Sequence, residues 1–67
     1  MPRWKDLRRF LDRNGQFVRH GGDHDVYRYN GKIVRVSRSS GEIESRKWRD
    51  ILKHQLHITQ EDFNRGL

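Results

Sequence analysis

Asn30-Gly31, set between two short β-prone runs, constrains this chain more than any other pair of neighbours in it. Both residues tolerate positive φ, and a two-residue type I′ turn matches the twist of the antiparallel strands it joins. A hairpin of residues 24–29 and 32–38 follows. With so tight a turn, Tyr29 faces Lys32, Arg28 faces Ile33, Tyr27 faces Val34, Val26 faces Arg35 and His24 faces Ser37. Alternation then puts Tyr27, Tyr29, Val34 and Val36 on one face, which reads as the core side. His24, Val26, Arg28, Ile33, Arg35 and Ser37 share the other.

The hairpin needs a cover, and the flanking sequence supplies it. From Trp4 to Asn14 the apolar residues Trp4, Leu7, Phe10 and Leu11 keep the three-and-four spacing of an amphipathic helix, which Gly15 ends. Lys5, Arg9 and Arg13 form a stripe on the far side of the same wheel. Residues 16–19 are a third β-prone run. Residues 38–44 read as a polar loop, and Ser45 as the N-cap of a second helix through about Gln55, with Trp48, Ile51, Leu52 and Leu56 on its apolar side. Thr59-Gln60-Glu61-Asp62 resembles a capping box with Asp in place of Glu, opening a short turn that tucks Phe63 against the core. The expected fold is α+β: one domain over residues 1–67, order α-β-β-β-α, helices on one face of a three-stranded antiparallel sheet.

At 67 residues there is room for one modest core, since a chain of about 60 residues buries only about 60% of its unfolded surface. There is no cysteine, so disulfides and thiolate metal sites contribute nothing. No apolar run approaches the roughly 20 residues of a membrane span and the first ten lack a signal-peptide stretch, so the expected location is cytoplasmic, with no membrane partner. The net charge of +6 lies entirely in the first part: residues 1–38 hold ten Lys and Arg against four Asp and Glu, and the remainder holds five of each. A basic excess suits a polyanion, because Lys and Arg neutralise phosphates, but it equally serves solubility.

The stretch from His20 to Arg28 is the candidate for chemistry. Two glycines before a strand make a tight connection, and they also let a phosphate backbone approach. His24, flanked by Asp23 and Asp25, is expected to have its imidazolium favoured. Grouped with Arg28 and Arg35, it offers a base for a ribose 2′-hydroxyl and cations for a crowded phosphorane. His20 is a weaker candidate for a general acid, because strand parity does not establish that it faces His24. His54 and His57 read as structural or solvated at a helix end. A metal site from His20, Asp23, His24 and Asp25 is awkward, because adjacent strand side chains point apart. Trp4, Phe10, Tyr27 and Trp48 read as core, with Tyr29 the aromatic best placed for stacking on a base.

Gly22-Asp23-His24-Asp25-Val26-Tyr27-Arg28, with Gly15-Gln16-Phe17-Val18-Arg19 before it and Val34-Arg35-Val36 and Trp48-Arg49-Asp50-Ile51-Leu52 after it, resembles the HicA toxin family over nearly the whole chain. The resemblance implies a double-stranded-RNA-binding-domain-like fold and a messenger-RNA endonuclease that needs neither metal nor cofactor. It also implies neutralisation by a HicB-type antitoxin and a catalytic histidine at His24. Asp23 stands where the family has serine, and Val36-Ser37-Arg38-Ser39 where it often has valine, proline, a variable residue and histidine. Lys5, Arg9, Arg13, Arg28, Arg35 and Arg38 are the expected RNA contacts. The alternatives are a non-catalytic RNA-binding module and an interaction subunit whose basic surface docks an acidic protein.

Overall fold

The computed structural model describes residues 2–67. In chain order they form α1 (Trp4–Asn14), β1 (Gln16–His20), β2 (His24–Tyr29), β3 (Lys32–Ser37), α2 (Ser45–Asp50) and α3 (Gln60–Gly66), with a π-helical segment, Ile51–Leu56, continuing α2 without a break. The three strands form one antiparallel sheet in the order β1-β2-β3. The α+β class and the element order are those expected.

Asn30 and Gly31 both have positive φ, 49° and 75°, and the β2–β3 register is the one that such a turn dictates, from Tyr29 opposite Lys32 to His24 opposite Ser37. Tyr27, Val34 and Val36 are therefore buried against Leu7, Phe10 and Leu11 of α1, in a core that also takes in Trp48, Ile51, Leu56 and Phe63. Phe63 stacks on Phe10 with centroids 4.8 Å apart and meets Trp48 edge-on at 4.7 Å. Its helix starts at the foreseen box: Asp62 N–H donates to Thr59 Oγ1 at 3.1 Å and Thr59 N–H to Asp62 Oδ2 at 3.4 Å.

Three local features correct the expectation or go beyond it. Glu44, not Ser45, is the N-cap of α2, while the helical stretch ends at Leu56, about where expected. The polar loop before it carries a wholly buried Ile43, fixed by its N–H donating to the Pro2 carbonyl at 2.9 Å. Most consequential is β1. Gln16 and Phe17 pair with Arg28 and Tyr27, but Arg19 pairs with Val26 and His20 with Asp25, so Val18 is an unpaired bulge residue. A bulge residue breaks strict alternation, so Arg19 and His20 face opposite to where a regular count from Phe17 would put them.

Candidate active site

His24 opens β2, and its position is fixed through the backbone. Gly21 N–H donates to the His24 carbonyl at 2.6 Å, and a Cβ at Gly21 would lie 2.7 Å from that oxygen. Glycine at 21 is thus a packing requirement. At Gly22 a Cβ would meet nothing within 4 Å and its φ is not in the positive region, so packing demands nothing there.

Two cavities meet at His24. A shallow cup of about 190 Å³ is lined by Arg19, Gly21, Gly22, His24, Val26 and Arg35. An open groove of about 450 Å³ runs between the β3 edge and α2, and His24 and Arg35 line it as well. Arg35 lies opposite Val26, diagonal to His24, within reach of a long side chain on the same face. Val26, only 7% exposed although outside the main core, is the apolar floor of the cup.

The expected trio of His24, Arg28 and Arg35 is therefore a pair. Arg28 shares the face, but four residues along an extended strand is about 13 Å, and it lines neither cavity. Arg19 takes its place, because the Val18 bulge turns it to the His24 face. Nothing in the sequence marks that bulge.

On the opposite face lies the carboxylate expected to assist His24. Asp25 is 7% exposed and is fully engaged: its Oδ1 is 2.8 Å from His20 Nδ1 and accepts from Arg38 Nε at 3.0 Å, while Arg8 Nε lies 3.7 Å from Oδ2. The hydrogen bond from His20, aided by Arg38 and opposed by partial burial, holds this carboxyl below its ordinary value. Flanking in sequence is not proximity here, because neighbours on a strand point apart. His20 belongs to this cluster, its ring 4.9 Å from that of Phe17, and not to the face of His24.

Arg38, an expected RNA contact, is committed to that ion pair. Lys5, Arg9 and Arg13 are exposed on α1, whose buried side covers the other sheet face; the structure does not bring them to His24, and Arg13 donates to the Leu67 carbonyl. Tyr29 is half-buried against Phe10 at 5.5 Å, and the aromatic in the wall of the groove beside His24 is Trp4. Tyr27 is buried, donating to Asp12 Oδ1 at 2.7 Å; burial first and that carboxylate second push its phenol far above its ordinary value. His57 is the left-handed cap of the π-helical segment, φ 57°, with its Nε2 2.6 Å from Lys32 Nζ.

Among the described residues no three His, Cys, Asp or Glu side chains gather into a group that could hold a metal ion, and no helix is long and apolar enough to cross a membrane. No protein-family model, curated protein or solved structure matches the chain.

Proposed function

We propose that this chain is a HicA-type toxin of the cytoplasm that cleaves messenger RNA without a metal, with His24 as the proton-transfer group. The observation that carries the reading is the junction of the two cavities: His24 and Arg35 line both, and neither side chain is engaged elsewhere among the described residues. An imidazole free of structural duty beside free guanidinium groups is what cleavage of a ribose phosphodiester requires.

In the proposed reaction, neutral His24 takes the proton of a 2′-hydroxyl and the freed oxygen attacks the adjacent phosphorus. The bond from phosphorus to the 5′-oxygen breaks, leaving a 2′,3′-cyclic phosphate. The leaving oxygen is protonated by the His24 imidazolium or by water. Arg19 and Arg35, in the cup, neutralise the charge that builds on the phosphorane, and Gly22 leaves room for the backbone. The sheet with its covering helices serves as a double-stranded-RNA-binding-like scaffold, and a HicB-type antitoxin with acidic groups would close the cup.

Incubation of purified protein with RNA in EDTA tests this. The wild type is expected to cleave, and His24→Ala to lose on the order of 100-fold or more in rate while still binding RNA. Equal cleavage by both proteins would overturn the assignment of His24, and binding without cleavage by either would make the chain a non-catalytic RNA module.

A further inference from the structure

The groove beside His24 does not resemble a track for phosphates. On a chain of net charge +6, its walls include two carboxylates, Glu44 and Asp50. Among the described residues neither has a hydrogen-bond or ion-pair partner. A phosphate track would exclude both, since each repels a phosphate; a carboxylate accepts hydrogen bonds and donates none. The rest of the lining is mixed. Trp4 and Ile51 are apolar walls, Gln55 can donate and accept, and three cations, Arg35, Arg46 and Lys47, line the groove as well, Lys47 with its Nζ 5.7 Å from the centre of the Trp4 ring.

At about 450 Å³ the groove falls within the range, about 300–1,000 Å³, of sites that hold small ligands. It shares two of its lining residues, His24 and Arg35, with the cup. A ligand that meets these conditions is flat and partly apolar, offers N–H donors at its edge, and is joined to a phosphate. A nucleobase of single-stranded RNA is such a group, and unpaired RNA is read by stacking and by hydrogen bonds to the base edge. Of the four bases, adenine, cytosine and guanine carry an exocyclic amino group and uracil does not.

We propose that the groove between α2 and the β3 edge is a base-recognition subsite, taking a nucleotide whose base carries an exocyclic amino group. Asp50, with Glu44 beside it, accepts from that amine, and Trp4 and Ile51 flank the ring. Arg35 holds the adjoining phosphate, and the ribose is thereby set at His24. The inference rests on the proposed RNA cleavage for its catalytic consequence, but the subsite can be tested without it.

The test has two arms, both on the whole chain. In the first, the wild type and Asp50→Asn cleave single-stranded RNAs that differ only in the base at the cleaved position. The wild type is expected to favour the three amino-bearing bases over uracil by about tenfold. Asp50→Asn, of nearly the same shape but now also a donor, is expected to lose that preference while still cleaving at uracil. In the second arm, His24→Ala is titrated with oligo(A), oligo(C) and oligo(U) while the Trp4 indole and Gln55 amide signals are followed by NMR. Shifts there with oligo(A) and oligo(C), weakened about tenfold by adding Asp50→Asn, support the subsite even if the wild type cleaves nothing, in which case only the proposed activity fails. Shifts confined to Lys5, Arg9 and Arg13, or a base preference unchanged by Asp50→Asn in both arms, overturn the subsite.

Discussion

At the scale of single residues, the adjacent Asp25 and His24 have separate duties. Asp25 is held by His20, Arg38 and Arg8, so its replacement by Asn should destabilise the fold at pH 7 by leaving two guanidinium groups and the His20 imidazole around a neutral amide. Its folded pKa lies below the ordinary value of 3.8. The native state therefore binds fewer protons than the unfolded chain, and the contribution is complete above the unfolded value and lost as pH falls through the folded one. Urea midpoints of wild type and Asp25→Asn should differ at pH 7 and converge below about pH 3.8; a constant gap across that window would show that the charge is not the cause. The glycines give a second contrast. Gly21→Ala must push the His24 carbonyl aside, so it should cost about 1–3 kcal/mol and on the order of 100-fold in any His24-dependent rate. Gly22→Ala should leave the melting temperature unchanged while weakening RNA affinity, since its Cβ would protrude into open space on the rim of the cup.

At the scale of elements, what was legible follows local rules, and what was not depends on a length. The turn at Asn30-Gly31 gave the β2–β3 register residue by residue, and the spacing of Leu7, Phe10 and Leu11 gave the buried side of α1. His24 and Arg35 were accordingly readable as neighbours. Arg19 was not, and His20 could not be assigned a face, because the facing of both depends on the bulge at Val18, which no residue type announces. Ile43 escaped for a related reason: a lone apolar residue in a polar loop has no periodicity to reveal it. Deletion of Val18 tests the bulge directly. With the extra residue gone, a ladder continued from Phe17–Tyr27 still sets Arg19 opposite Val26 and His20 opposite Asp25. Nuclear Overhauser contacts across the Arg19–Val26 and His20–Asp25 pairs should then persist, and contacts between the imidazoles of His20 and His24 would mean that the strand had slipped at its start instead.

The whole molecule is two-sided, with one core under the helices and the candidate site on or beside the uncovered sheet face. That core is small, and in chains of this length it rarely supplies more than about 3–5 kcal/mol. Phe63 joins the C-terminal helix to Phe10 and Trp48, and its truncation to Ala should cost about 3–5 kcal/mol. Most of the population should then be unfolded at 25 °C, with circular dichroism and near-ultraviolet signals lost together; persistence of the near-ultraviolet signal would show that α3 is a dispensable appendage. The bulge in β1 has a last consequence for how such chains diverge. A codon lost or gained at position 18 changes neither the charge nor the count of histidines and arginines, and an aligned pair of sequences would record it as a minor gap in an edge strand. Because the bulge takes up the extra residue, its loss leaves Arg19 on the face of His24 and His20 opposite Asp25, so the make-up of that face can be inherited unchanged through a change in length.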